Sequence, residues 1–299
     1  MYHPLDNLAE DIYRVAGSEH FSSDIKSLAA YGARIAAHTE ETLNSQQSRT
    51  EKRKDHTLRA SELGSACLRQ LWYKVYHPEL AAPITGKMGF KFLYGDLIEE
   101  ATLFLAEAAG YSVQNRQGVV TTEHRGWEIV GHMDAIINDV TVDVKSASDY
   151  AFSEVARNNY VLDPSIDKFG YNYQLGFYDL FREDQTLTDP RFLYVNKQSG
   201  EIRTVTPGPT VRGIEERLNV ITKMLDVSDP NTSFPTLPPV RLATVPHNKS
   251  GNTKLCTNCS YCSFRKDCYP KAKGFAYASG PVWLVDIVKI PDVPEIEEA

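Results

Sequence analysis

The sequence predicts a mixed α/β fold of strands and flanking helices, and three observations carry that reading. Between Ser112 and Ser146 apolar residues alternate with polar ones, the period-two signature of strands. Before and after that block stand stretches with apolar residues three and four apart, the pattern of amphipathic helices. A second alternating run, Arg191–Thr206, is interrupted by Ser199-Gly200 and reads as a hairpin. At 299 residues with 42% apolar content, the chain can bury a full core as one large or two small domains.

Residues 1–60 read as a helical, polar N-terminal arm, with a helix over Ser23–Leu43 and a charged linker over Asn44–His56. No chemistry is visible in it. In the stretch LRASELGSACLRQLWYKVYHP, Ser61 is a candidate N-cap, predicting a helix that ends near Pro78 with Cys67, Arg69, Trp72 and Tyr73 on or beside it. Taken alone, Cys67 is a small core residue. The next helix is expected over Gly89–Ala109, with an apolar stripe at Leu93, Leu97, Ala101, Phe104, Leu105 and Ala108. Gly95 and Glu99 sit one turn apart on another side, where a glycine would let a ligand or backbone approach. Taken alone, Glu99 is a solvated helix-surface residue.

Three strands, Ser112–Thr121, Trp127–Ile137 and Thr141–Ser146, predict an antiparallel meander. Its centre is GHMDAIINDVTVDVKSAS, Gly131–Ser148, which holds Asp134, Asp143 and Lys145. Asp143 and Lys145, two apart on a strand, share a face. Asp134 lies on the preceding strand across a turn at Asn138 and Asp139, so two carboxylates and an ammonium can meet at one edge of a hairpin. Such a set suits a divalent metal and an activated water. Downstream, helices are expected from Asp149, over Asp167–Phe181 and over Thr210–Leu225, followed by a Pro-rich loop over Asp229–Pro246. In the second of these, Gln174 and Tyr178 are four apart and share a face, while its aromatics read mostly as core.

The net charge of −7 neither supports nor excludes a nucleic-acid partner, because four acidic residues (Asp292, Glu295, Glu297, Glu298) lie in the tail after Pro291. No apolar run approaches a membrane span and no signal-peptide pattern is present, so a soluble, cytoplasmic protein with no membrane partner is expected. Of five cysteines, Cys67 stands alone and Cys256, Cys259, Cys262 and Cys268 form C-x2-C-x2-C-x5-C. An odd count without a secretion signal argues against disulfides, and clustered thiols more often bind metal. The tight spacing suits an iron–sulfur cluster, with structural zinc or free thiols as alternatives.

Taken together, Gly95–Glu99, Asp134, Asp143-Val144-Lys145 and Gln174–Tyr178 resemble the PD-(D/E)XK nucleases of the RecB type. Those enzymes place a His or Glu, a Gly-x-x-Asp, a (D/E)-x-K and a Q-x-x-x-Y in that order. Cys67 and the terminal C-x2-C-x5-C resemble the iron–sulfur branch, which includes the AddB nuclease domain and the CRISPR-associated RecB-like exonucleases. The resemblance spans roughly Ser61 to Cys268. It implies a restriction-endonuclease-like core over residues 61–275, with a central mixed sheet flanked by helices, between the arm of residues 1–60 and a C-terminal strand and acidic tail over 276–299. It further implies Glu99, Asp134, Asp143 and the Val144 carbonyl as ligands of Mg²⁺ or Mn²⁺, with Lys145 orienting or activating water. Gln174 and Tyr178 would support the active site and the DNA backbone. Cys67, Cys259, Cys262 and Cys268 would hold a structural 4Fe–4S cluster. Two departures are visible: Glu99 stands where the RecB branch usually has His, and Cys256 is surplus, leaving a fully local ligand set possible. The implied activity is a metal-dependent DNA exonuclease acting on ends or single strands in recombination, repair or phage DNA processing, in a bacterial or phage-infected cell. The alternatives are a structure-specific endonuclease of the same fold and a non-catalytic iron–sulfur or zinc DNA-binding subunit. A recombination or helicase partner and oligomerisation are compatible with either.

Overall fold

The computed structural model describes residues 3–48, 54–184, 186–227 and 243–296. In chain order, these form α1 (Leu8–Ala16), α2 (Ile25–Ser48), β1 (Thr57–Arg59), α3 (Leu68–Tyr76) and the long α4 (Gly86–Ala108). Strands β2 (Val113–Gln114), β3 (Gly118–His124), β4 (Trp127–Met133), β5 (Ala135–Ile137) and β6 (Val140–Ala147) follow. Next come α5 (Asp149–Arg157), β7 (Val161–Leu162), α6 (Tyr171–Phe181), β8 (Arg191–Asn196), β9 (Ile202–Pro207) and α7 (Ile214–Val227). The last are β10 (Thr244–His247), β11 (Asn252–Leu255), α8 (Thr257–Ser260), α9 (Arg265–Cys268), β12 (Lys273–Tyr277), β13 (Gly280–Asp286) and β14 (Glu295–Ile296). The molecule is a mixed α/β protein, and no helix among the described residues is long and apolar enough to cross a membrane.

The chain divides into two compact units. The first comprises Met1–Arg49, Lys54–Gly64 and Ile84–Lys223. Its main sheet has six strands in the order β2-β5-β6-β8-β9-β7 and is mixed, with β6 parallel to β8 and the other central pairs antiparallel. Alternation along β6 and β8 sends Val142, Val144, Leu193 and Val195 to one face. There they meet Leu8 and Ile12 of α1 and Leu103 and Ala106 of α4. Ala147, Phe192 and Tyr194 go to the other face, against Phe152 and Val155 of α5 and Leu175 of α6. Each of these fully buried large apolar side chains contributes roughly 1.5–3 kcal/mol. A smaller sheet, β1-β4-β3, stands beside it.

Several expected elements change shape. The meander strand Trp127–Ile137 is two strands, because Asp134 breaks it: β4 pairs with β3 and β1, whereas β5 pairs with β2 and β6. The Asn138-Asp139 turn is present, with φ of 45° and 67°, the left-handed pair that a two-residue hairpin requires. No helix starts at Ser61. Ala60–Glu62 is a single 3-10 turn whose Glu62 carboxylate accepts the Arg59 N–H, and α3 begins only at Leu68. Gly64 leaves the helical path because its backbone lies against that of Gly170: a Cβ on Gly64 would stand 2.2 Å from the Gly170 carbonyl oxygen. The arm helix expected over Ser23–Leu43 is α2, which runs to Ser48 and into the expected linker, of which residues 49–53 lie outside the described part.

The helix expected from Gly89 starts at Gly86, capped by the Thr85 hydroxyl, and it buries more than the expected stripe. Glu100, Thr102, Leu103 and Ala106 are buried while Ala108 is exposed, since α2 packs on it as well as the sheet. The Asp167–Phe181 helix begins at Tyr171. Asp167 stays outside it and accepts the N–H groups of Tyr171 and Asn172, both at 2.9 Å. The helix expected over Thr210–Leu225 is a 3-10 turn at Pro209–Arg212 followed by α7. The Asp149 helix and the hairpin turning at Gly200 are as expected.

The second unit comprises Thr50–Arg53, Ser65–Pro83 and Met224–Ala299. It holds an antiparallel five-stranded sheet, β10-β11-β13-β12-β14. The expected Pro-rich loop falls mostly on residues 228–242, outside the described part; its end is strand β10. Pro246 is tolerated there because β10 is an edge strand. A small aromatic core of Trp72, Tyr73 and Phe264 joins α3 to the turn before α9, with the Tyr73 and Phe264 rings stacked 5.1 Å apart.

Candidate functional site

In the first unit, Asp143 and Lys145 of β6 occupy the face opposite Val142 and Val144, opposite Phe192 and Tyr194 of β8. Lys145 Nζ lies 2.5 Å from Asp143 Oδ2 and 4.7 Å from the centre of the Tyr171 ring, a cation–π contact supplied by α6. Asp143 is completely buried, and Lys145 is the charged partner of its Oδ2. Its Oδ1 has no hydrogen-bond partner. A buried carboxylate oxygen in that condition is costly unless a further donor or cation sits against it.

Asp134 occupies the break between β4 and β5. Because Ala135 pairs with Val142, Asp134 falls beside the next strand, and its Oδ2 accepts the Val144 N–H at 2.7 Å. Val144, whose carbonyl was expected to serve a metal, thus contributes its N–H to the site. Glu99 comes from α4, and its Oε1 accepts a hydrogen bond of 2.6 Å from the Gln117 side-chain amide. Gly95, one turn away, would carry a Cβ 3.6 Å from the Ser146 hydroxyl.

The electrostatics show that these groups feel one another. Burial pushes the Glu99 carboxyl up to about 7, Asp143 adds to this, and the Gln117 hydrogen bond and Lys145 oppose it. Asp134 is held well above the usual carboxylate range, by burial first and then by Glu99 and Asp143. Burial also raises Asp143, against the pull of Lys145. For Lys145, burial works to lower the ammonium's pKa, but Asp143, Asp134 and Tyr171 outweigh it and the net shift is upward. The result is three mutually repelling carboxyls around one retained ammonium.

Gln174 and Tyr178 of α6 bond to each other: the amide Nε2 donates to the phenol Oη at 3.0 Å. Tyr178 is buried, its phenol raised by burial and then by Asp143, with Asp134 adding. Its ring fills the space above Gly131, where a Cβ would stand 2.6 Å from Cε1. The glycine three residues before Asp134 therefore makes room for the tyrosine. Sequence reasoning missed Gln117, which no motif marks, and Tyr171 and Asp167. These last two were readable only as core aromatic and helix start.

In the second unit, all five cysteines are free thiols. Cys67 is the N-cap residue of α3, and Cys262 and Cys268 pack on the Trp72–Tyr73–Phe264 core. Burial pushes Cys259 up to about 12 and Cys262 up to about 11, and raises Cys268. All three also feel Cys67, although it lies far away in sequence, while Cys256 acts on Cys259 through a side-chain hydrogen bond. Among the described residues, no group of three or more His, Cys, Asp or Glu side chains is arranged to hold a metal ion.

No family model matches the chain, and no curated protein matches it. Among solved structures it is similar to SSO0001, known as a crystal structure, with 12% identity over 77% of this chain and 93% of that one and a TM-score of 0.43. A likeness at that level carries no argument about fold or function.

Proposed function

We propose that the protein is a metal-dependent DNA exonuclease with a restriction-endonuclease-like core. One observation carries the reading: Glu99, Asp134, Asp143 and Lys145, drawn from a helix, a sheet break and a strand, interact electrostatically around a buried carboxylate, that of Asp143, whose Oδ1 has no hydrogen-bond partner. Hard oxygen donors of this kind fit Mg²⁺ or Mn²⁺ rather than zinc. Glu99, Asp134 and Asp143 would hold such an ion, which supplies Lewis-acid chemistry at a phosphoryl oxygen and lowers the pKa of a water. Lys145, kept as an ammonium, donates hydrogen bonds to that water and to the phosphate and offsets developing negative charge. Tyr171 holds the ammonium over its ring face, and Tyr178, bonded to Gln174, packs on Gly131 of β4, the strand that leads into Asp134. DNA in recombination, repair or phage DNA processing is the substrate class this reading implies.

Cys67, Cys259, Cys262 and Cys268 would hold a 4Fe–4S cluster or, alternatively, zinc. The donor set fits by chemistry: four thiols that sense one another and carry no disulfide.

The test is digestion of end-labelled single- and double-stranded DNA and of closed circles in Mg²⁺ or Mn²⁺. Linear DNA should be degraded from its ends and closed circles spared; cutting of circles would make the protein an endonuclease instead. A second reading, a non-catalytic iron–sulfur or zinc DNA-binding subunit, draws on the clustered thiols of the second unit. DNA binding without any cleavage in either metal would decide for it.

A further inference from the structure

Glu99 and Glu100 are neighbours on α4; in the turn between β2 and β3, Gln117 hydrogen-bonds the first and Arg116 stands at ion-pair distance from the second. Gln117 donates its side-chain amide to Glu99 Oε1 at 2.6 Å. The same residue's backbone N–H donates to the Asp134 carbonyl at 3.2 Å. Gln117 therefore ties one candidate ligand by its carboxylate and another by its main chain. Arg116 turns the opposite way. Its Nη2 donates to the Leu103 carbonyl (3.2 Å) and to Glu107 (3.0 Å), and its Nη1 stands 3.8 Å from Glu100 Oε2.

Glu100 is 1% exposed, which is exceptional for a carboxylate on a helix. It also receives Arg34 of α2, whose Nε donates to Oε2 at 2.9 Å, with His38 Nε2 at 3.8 Å from Oε1. Two guanidinium groups from separate elements thus close on one buried carboxylate of α4. A helix can rotate about its axis, and one residue's rotation swings Glu99 by about 100°. Fixing Glu100 fixes that angle.

We propose that Arg116 and Gln117, completed by Arg34, are positioning residues that set the azimuth of α4 and so hold the Glu99 carboxylate toward Asp134 and Asp143. The inference rests on the metal-site reading given above. Groups of this kind, which orient a ligand without touching the ion, typically change metal affinity by about 10–100-fold when removed. The N-terminal segment, in which the sequence shows no chemistry, gains a role through Arg34.

The experiment is Mn²⁺ titration of the full-length protein by calorimetry, for wild type, Gln117→Leu, Arg116→Met and Asp143→Ala, with thermal unfolding in chelator as the control for folding. Gln117→Leu and Arg116→Met should weaken Mn²⁺ binding by about tenfold or more while unfolding in chelator close to wild type. In the nuclease assay they should raise the half-saturating Mn²⁺ concentration about tenfold and leave KM for DNA within about twofold, a split that a loosened fold would not give. Wild-type Mn²⁺ binding unaltered in both variants overturns the positioning role alone. No Mn²⁺ binding by wild type, or binding undiminished in Asp143→Ala, overturns the metal-site reading and the positioning role with it.

Discussion

The carboxylate site of the first unit and the thiol group of the second are built on opposite electrostatic principles. The carboxylates are buried together with their own cation: Lys145 lies against Asp143, the Val144 N–H serves Asp134 and the Gln117 amide serves Glu99. Among the thiols, Arg69 acts on Cys268 and Lys74 on Cys262, and burial holds Cys259, Cys262 and Cys268 toward the neutral thiol. A site with an internal counter-charge can be assembled before any ligand arrives. One made of neutral thiols has little holding its ligands together until something binds them.

The largest effect expected from this contrast is catalytic. Asp143→Ala or Lys145→Ala should reduce Mg²⁺-dependent DNA degradation by at least about 100-fold, with circular dichroism unchanged. Full activity in either variant would remove the carboxylate site from the chemistry.

Next is the thiol group. Cys67→Ser should lower iron or zinc content as measured by metal analysis and lower the thermal midpoint of the second unit, whereas Cys256→Ser should retain metal. The reverse pattern would show that the local C-x2-C-x2-C-x5-C set is the true one. A companion measurement sharpens the contrast. Chelating Mg²⁺ or Mn²⁺ should barely move thermal unfolding, while removing the thiol-bound metal should move it clearly.

Packing gives a smaller effect. Gly131→Ala pushes a methyl into the Tyr178 ring and the Ala60 side chain, an overpacking cost of about 1–3 kcal/mol measurable by urea unfolding. An undiminished midpoint would mean that the ring yields without resistance.

The smallest effect is on pH dependence in chelator. Glu99 in the folded chain keeps its proton up to about pH 7, whereas an exposed glutamate releases it near 4.5. Its contribution to stability is therefore present below pH 4.5 and is lost as pH rises through 7. Glu99→Gln should flatten that decline, seen as a smaller fall in Tm between pH 5 and 8 than in wild type. An identical slope in the variant would mean that the titration belongs to other groups.

Much of this site was legible because its parts obey local rules. Asp143 and Lys145 share a face by strand periodicity, the Asn138-Asp139 turn has the residues that left-handed φ favours, and Gln174 meets Tyr178 at helical spacing. What remained hidden depends on tertiary contact. The run Trp127–Ile137 has one continuous apolar pattern, and nothing in it reveals that its two halves join different sheets. Ser61 has the chemistry of an N-cap, but the meeting of Gly64 with Gly170 overrides it. Glu100 is a polar residue in a helix, and its burial is set by Arg34 and Arg116, arginines that no motif connects to it.

The division of the Trp127–Ile137 run at Asp134 bears on how this protein can change in length. β4 is pinned residue by residue against β3 and β1, and β5 against β2 and β6, so the single residue between them has no slack on either side. Adding or deleting one residue between Met133 and Ala135 would turn every following side chain of β5 to the other face. The exposed Arg125-Gly126 turn at the far end of the β3–β4 hairpin has no such constraint. Insertions drifting into this region should accumulate at that turn and spare the aspartate joint, leaving the stretch from Gly131 to Lys145 as a fixed ruler within a chain of variable length.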